Sequence, residues 1–427
     1  MCDTFSVMHS HSASGMPIFA KNSDRDPNEP QIFVQIEKSS ETSSSIRTSF
    51  IDIEGYPRVY DVLLSKPVWL WGGEMGTNSA GVSIGNEAVF TRMPYRKTGL
   101  TGMDLLRIAL ERCGRAADAV SMIIAMLEQY HQGGNCSYDG KLLYHNSFLV
   151  MDADEGFILE TADDVWVYRK IDAYANISNR LSITNKYDAV SPFLRERTID
   201  FSSVYSNPII TFFTGSSARM RRGAELLAAN SKHTRASIIE LLSDRVNGKA
   251  TGMSNLCMNA GGGLINSQTT ASMIVEYGKI NTIWYTMSPC PEIALFKPAW
   301  FTAGSPLSAV HEKENEKRWK LNNYFYRQII DNYEDDISQI RDLHDRTQEE
   351  IINLAEQAEP GDGDELLNSI MHEAMEIEDE YRSCALDIVK DNARSMTPFR
   401  HMYWSSQRKK LLKKETYAEI RALYLKR

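Results

Sequence analysis

Near residue 305 the chain changes texture, and that change bounds what it can fold into. Before it, short alternating runs suited to strands are interleaved with helical stretches that come in pairs. After it, glycine and proline thin out and charge rises. The spacing there predicts long helices over 311–357, 364–394 and 406–426, broken at PGDG (360–363) and at Thr397–Pro398. The expectation is an α+β domain over residues 2–304 and a helical C-terminal extension over 305–427. No internal repeat, low-complexity tract or disordered linker interrupts either part.

Within the first part, residues 3–9 and 17–22 read as two strands around the turn-like HSASG, and 31–37 alternates as a third. A further strand is expected over 56–64. NSAG (78–81) reads as a tight turn, with GVSIGNEAV leaving it as a strand. Residues 101–112 have helical spacing behind Thr101 as a cap, and 115–131 carries a broad apolar face. NSFLVMDADEGFILETADDVWVYRKI predicts two or three short strands. Helices return at about 216–229 and 234–245, followed by the strand-like QTTASMIVEY and NTIWYTMSP. In the tail, acidic residues crowd 349–380 and basic ones 408–427. The plain reading is antiparallel helices whose charged faces meet, and the sharper one is a basic patch for a partner surface.

Several function classes are excluded early. The net charge of −9 and pI of about 5.6 argue against a nucleic-acid-binding protein, which would show a basic face. No run approaches the length needed to cross a bilayer, so no integral membrane segment is expected. MCDTFSVMHS lacks the basic and apolar regions of a signal peptide. The six cysteines, Cys2, Cys113, Cys136, Cys257, Cys290 and Cys384, show no paired spacing. That is cytosolic usage, with Cys136 and Cys257 expected as packed thiols and no zinc site. His9 and His11 are the sole close histidine pair, read as an exposed strand end rather than metal ligands. QGGNC and NAGGGL are too short and misplaced for a phosphate loop.

Cys2 carries the chemistry. Initiator methionine is generally removed ahead of a small residue such as cysteine, which would leave a thiol and a free α-amine on one residue. An α-amine titrates near 7.7–8.0, so it can take the proton that a thiol must lose to become a nucleophile. The plain alternative is a small buried residue opening a strand. The hairpin that follows returns FAKNSDR (19–25) beside it. Lys21 would there lower the thiol's pKa, and Asp24 would orient the amine. The same residues also suit an ordinary polar strand end. Glu74 and Glu87 flank the NSAG turn and serve either a substrate amine or local pairing.

CDTF, FAKNSDR, GGEMGTNSAGVSIGNEAVFTR, GLTGMDLLRIALER, QGGNC, YHNSFLVMDADEGFILETA, NISNRLSI and QTTASMIV, taken in that order through residues 2–300, resemble the secernin family. Secernins fall within the cysteine N-terminal nucleophile hydrolases, a group that includes related dipeptidases, bile-salt hydrolases and penicillin V acylases. The resemblance implies a four-layer αββα sandwich with the nucleophile at the start of a central strand. It implies a flanking cation and aspartate, at Lys21 and Asp24. Bile-salt hydrolases have arginine at the first position, and lysine lacks its bidentate fork. It further implies asparagines that stabilise the oxyanion, Asn86 and Asn179, and a late arginine, Arg219, with Arg222 as its rival.

The expected function is hydrolysis of an amide bond in a small substrate, a dipeptide or an N-acyl compound, through a Cys2 thioester. No metal or organic cofactor is needed. Two alternatives stand beside it: a secernin-like regulatory or binding protein without turnover, and acyl transfer to an amine. A cytoplasmic location is expected, with the helical extension offering a surface for homo-oligomers.

Overall fold

The structure, a computed structural model, describes residues 1–195, 198–246, 251–260, 266–330, 333–389 and 398–413. Among them the strands are β1 (Cys2–Val7), β2 (Ile18–Arg25), β3 (Gln31–Ile36), β4 (Ser45–Arg47), β5 (Asp52–Glu54), β6 (Val62–Pro67), β7 (Met75–Asn78), β8 (Ser83–Val89), β9 (His145–Met151), β10 (Gly156–Ala162), β11 (Val165–Lys170), β12 (Tyr174–Ser178), β13 (Ala189–Val190), β14 (Gln268–Glu276), β15 (Thr282–Tyr285) and β16 (Lys297–Ala299). The helices are α1 (Gly102–Arg112), α2 (Ala116–Tyr130), α3 (Phe201–Tyr205), α4 (Pro208–Phe213), α5 (Ser216–Ala229), α6 (Arg235–Leu242), α7 (Glu312–Ile329), α8 (Tyr333–Ala355), α9 (Asp364–Val389) and α10 (Pro398–Lys413).

Two antiparallel sheets form the middle of the molecule. One runs β12-β1-β2-β14-β15-β16 and the other β13-β11-β10-β9-β8-β7-β6-β3, while β4 and β5 make a separate ribbon. Helices α1 and α2 cover the second sheet, and α5 and α6 cover the first. The result is a four-layer αββα sandwich. Strand alternation builds it. Leu63, Leu149 and Met151 point into the core between the sheets. Their neighbours Leu64, Phe148 and Val150 point to the core under α1 and α2.

Local signals explain several element ends. Thr101 and Asp104 form a reciprocal capping box that starts α1. The expected strand over 56–64 is displaced to β6, because residues 56–61 lead into the sheet rather than pairing in it. His9 and His11 lie in a single 3-10 turn, not at a strand end, and both are exposed or half-exposed.

The expected helix over 311–357 appears as α7 and α8, and residues 331–332 between them lie outside the described residues. The expected helix over 406–426 instead begins at Pro398, which suits a first helical turn because its missing N–H has no partner there. Most of the basic run, from 414 onward, lies outside the described residues, as do residues 261–265 of NAGGGL. Lys410 bonds Asp139 at 3.1 Å rather than an acidic helix. Helix α7 packs beside β3, and α8 and α9 beside β16. Trp319 of α7 is fully buried and donates to the Thr270 carbonyl at 2.9 Å. No described helix is long and apolar enough to cross a membrane.

Candidate active site

Strand β1 lies inside its sheet, between β12 and β2. The register sets Cys2 opposite Ser23 and Thr4 opposite Lys21, so these side chains share one face; Asp3 and Asn22 take the other. The first face meets the second sheet. There the Lys21 ammonium donates to Glu87 Oε1 and to the Asn86 carbonyl, both at 2.9 Å, and Thr4 donates to Glu87. The second face meets the helices. There Asp3 accepts from Arg219 Nε at 2.8 Å, and Asn22 donates to Leu242 and Leu256 carbonyls.

The Cys2 thiol is buried, 3.6 Å from Glu74 Oε2. Burial pushes the thiol up to about 11; the Lys21 charge opposes this, and Glu74 adds to it. Burial alone would lower Lys21, but the charges of Cys2, Glu87 and Glu74 more than offset it and hold the ammonium protonated. The other oxygen of Glu74 pairs with Arg25. Arg25 also donates to Glu29 at 2.7 Å and to the Cys136 carbonyl at 2.9 Å, and Trp69 donates to Glu29 at 2.7 Å.

The Cys2 backbone nitrogen faces a different set of groups. It donates to Asn179 Oδ1 at 2.8 Å, and Arg219 Nη2 donates to the same oxygen at 2.7 Å. Asn179 Nδ2 donates to the Ala88 carbonyl at 2.9 Å. Two donors thus fix the amide with its oxygen toward Cys2. Its oxygen accepts from the Cys2 nitrogen, while one of its two Nδ2 hydrogens is committed to Ala88.

Arg219, fully buried in α5, also donates to Thr214 and Met253 carbonyls and to Ser178. Its rival Arg222 pairs with Asp244 at 2.6 Å and is partly exposed. The Met1 ammonium donates to the Asp24 carbonyl and to Ser267 Oγ. The Asp24 carboxylate accepts from Thr269 at 2.6 Å. Burial raises it to about 7, against the pull of the N-terminal ammonium and Arg219. Asn86 joins the site through its carbonyl on Lys21, while its Nδ2 donates to Asn146 Oδ1 at 2.8 Å.

Of the other five residues singled out in the sequence, Lys21, Asp24, Asn179 and Arg219 gather around Cys2 on two faces of the sheet, while Asn86 joins through its carbonyl alone, its side chain turned toward Asn146 and Gly102. The sequence reading did not single out Arg25, Ser267, Gln268 or Thr269. Arg25 was readable: it lies two and four positions beyond Ser23 and Lys21, and so on their face. Several buried polar atoms here have no hydrogen-bond partner among the described residues: Ser23 Oγ, Asp24 Oδ2, Arg25 Nε, Asn86 Oδ1, Glu87 Oε2 and both side-chain atoms of Gln268. Each such group costs about 1–3 kcal/mol.

The sequence profile of a family described as acyl-coenzyme A:6-aminopenicillanic acid acyl-transferase matches residues 11–271, more than half of the chain. The chain belongs to this family. This acyl-transferase family member is similar in structure to a conjugated bile acid hydrolase from Clostridium perfringens, at 12% identity and a TM-score of 0.44, over 71% of this chain and 97% of that one. It is also similar to penicillin V acylase from Agrobacterium tumefaciens, at 11% identity and a TM-score of 0.43, over 72% and 89%. A Caenorhabditis elegans N-acylethanolamine-hydrolyzing acid amidase ortholog follows at 12% identity and 0.36, over 64% and 92%. Likenesses this distant say nothing about substrate.

Proposed function

We propose that this family member is a cysteine N-terminal nucleophile enzyme that cleaves an amide bond in a small substrate, and that it sits in the secernin branch. The observation that carries the reading is the placement of Cys2: its thiol lies near a buried cation, and its nitrogen is held 2.8 Å from an asparagine oxygen that Arg219 fixes.

Loss of Met1 turns that nitrogen into an α-amine without moving it. It also frees the Asp24 carbonyl and Ser267 Oγ from the Met1 ammonium. The neutral amine takes the thiol proton, directly or through a water. The thiolate forms a bond to the substrate carbonyl carbon, and the carbonyl π pair moves to oxygen. Asn179, beside Cys2, has a second N–H beyond the one committed to Ala88, and with backbone amides it serves the oxyanion. The tetrahedral species collapses, the C–N bond breaks, and the leaving amine takes the proton from the Cys2 ammonium. Water then cleaves the thioester. Lys21 stabilises the thiolate by its charge, while Asn179, Asp24 and Arg219 position the amine.

Transfer of the acyl group to an amine is the second reading, favoured by the description of the matching family. It shares the first half-reaction.

The test combines intact mass with labelling. Purified protein should lack Met1 and take up one equivalent of an electrophilic acyl probe at Cys2. It should release amine from members of a panel of dipeptides and N-acyl amino acids. Cys2→Ala should abolish both signals, while Cys136→Ala retains them. Labelling of Cys2→Ala at the parent rate refutes the nucleophile. Labelling at Cys2 without cleavage of any panel member favours transfer or a regulatory role.

A further inference from the structure

On the far side of β14 from the Cys2 thiol, Cys257 and Cys290 bring their sulfurs to 3.6 Å, both fully buried. Cys290 holds φ at +61°, a left-handed backbone conformation that L side chains adopt at a cost. The Glu292 carboxylate lies within 4.8 Å of both sulfurs. Glu292 also lines a cavity of about 150 Å³ with Pro291, Ile293 and the exposed Arg341 and Asp345. Glu292 therefore borders both the sulfur pair and a cavity large enough for a small oxidant.

We propose that Cys257 and Cys290 form a reversible disulfide that adjusts the Cys2 site through Thr269. Hydrogen peroxide is the oxidant. The Cys257 thiolate attacks one peroxide oxygen, the O–O bond breaks, and Cys257 becomes a sulfenic acid as hydroxide leaves. The Cys290 sulfur then forms the S–S bond and displaces the sulfenic oxygen as water. Two thiols lose two electrons and two protons, and one peroxide becomes two waters. The hydrogen bond with the Cys290 sulfur and burial hold the Cys257 thiol well above its usual range, and the Glu292 backbone N–H pulls the other way, so the attack runs through a minor thiolate population.

The route to the active site is short. The Cys290 N–H donates to the Thr269 carbonyl at 3.4 Å, and the N–H of Met258, next to Cys257, donates to Thr269 Oγ1 at 3.0 Å. Thr269 Oγ1 in turn donates to Asp24 at 2.6 Å. Closing the sulfurs to a bonded distance of about 2.05 Å draws both of these backbone anchors together beneath Thr269.

A metal ion fits the pair less well. Glu292 is already paired with Arg245 at 2.6 Å and with Arg341 at 3.7 Å, so an incoming cation would face two guanidinium groups.

The disulfide stands apart from the functional reading; its effect on Cys2 rests on that reading. The full chain, reduced or treated with hydrogen peroxide, is unfolded, alkylated and mapped, and Cys2 labelling is timed in parallel samples before unfolding. Peroxide should give a linked 257–290 peptide lighter by two hydrogens, and Cys2 labelling should slow about tenfold, as expected when a charged orienting hydrogen bond is disturbed. Dithiothreitol should reverse both changes. Cys290→Gly, which suits the left-handed backbone, should show neither, and under the same treatment it reports direct oxidation of Cys2. The proposal is overturned if both thiols remain alkylatable after peroxide. It is also overturned if the linked peptide forms while Cys2 labelling and Thr269 amide exchange stay unchanged. Stoichiometric zinc uptake that shields both thiols overturns it in favour of a metal site. If Cys2 never labels in reduced protein, the functional reading fails alone, and the linked peptide with Thr269 exchange still decides this one.

Discussion

Removing the carboxylate against the Cys2 thiol should make that thiol more reactive. In Glu74→Gln the shape is kept and one negative charge, 3.6 Å from Cys2 Sγ, is lost. At an effective dielectric of about 20, unit charges at that spacing interact by about 4–5 kcal/mol. Arg25 pairs with Glu74 and cancels much of that field, and the neutral thiol loses an acceptor, which works in the same direction. If about a third survives the cancellation, some 1.4 kcal/mol remains, or about one pH unit. The thiol then moves from about 11 toward about 10.

At pH 8 that change raises the thiolate fraction about tenfold. Nucleophilicity falls with pKa at a slope of about 0.4–0.5, giving back about threefold. The net expectation is labelling about three- to fourfold faster, with the pH–rate profile displaced to lower pH. The assay is second-order alkylation by a small neutral haloacetamide between pH 6 and 10, with Cys2 modification read by peptide mass. Cys2→Ala sets the background. A slower rate, or a profile displaced upward, would refute the assignment of Glu74 as an electrostatic brake on the thiol.

Arg219→Met should destabilise the fold by about 3–5 kcal/mol in chemical denaturation, since it strands the buried Asp3 carboxylate; adding Asp3→Asn should recover part of that loss. Asp24 and Glu87 are both raised to about 7 by burial, so the stability they contribute is complete below about pH 4 and is lost as pH rises through about 7. Melting temperature should therefore fall between about pH 4 and 7, and less steeply in Glu87→Gln. Asn179→Asp should hold the Cys2 amine in its protonated form and slow labelling below pH 8, while Asn179→Ala should slow it without a pH-dependent component. Truncation at residue 305 should abolish soluble expression, because it uncovers the Thr270 carbonyl and the apolar surface that Trp319 buries; monodisperse truncated protein on size exclusion would contradict this.

What the sequence made legible follows from the range of each interaction. The cap and helix at Thr101–Arg112 depend on residues three apart, and the expected bounds match the observed ones. The hairpin that returns Lys21 to Cys2 depends on a local turn. The distribution of Lys21 and Asp24 over two faces was available from period-two alternation, because they lie three positions apart, whereas the hairpin alone sets both simply beside Cys2. Short helices α3 and α4 have too few turns to show periodicity. The orientation of the Asn179 amide was not legible at all. It is fixed by Arg219, forty residues away, and by a nitrogen at the other end of the chain. The contact between Cys2 and Glu74 likewise joins two sheets across 72 residues, and no spacing rule reaches that far.

In the mechanism proposed above, the strand itself explains why one residue can serve as both nucleophile and base. At the first position of β1 the side chain projects to one face, while the backbone nitrogen lies at the strand's end. Each can then meet its own environment: the thiol meets Lys21 and Glu74 between the sheets, and the nitrogen meets Asn179, Arg219 and Asp24 toward the helices. A cation suits the first environment because it favours thiolate. Neutral acceptors and a carboxylate whose titration burial has raised suit the second, because they orient the amine without locking it into its charged form. A side-chain base would need a second residue placed against the thiol, at the expense of the inter-sheet packing that holds Lys21 dry. With Met1 in place the nitrogen is an amide and can donate but not accept a proton, so the proposed base is absent. On the proposed mechanism, release of one residue supplies that base without requiring any strand to move.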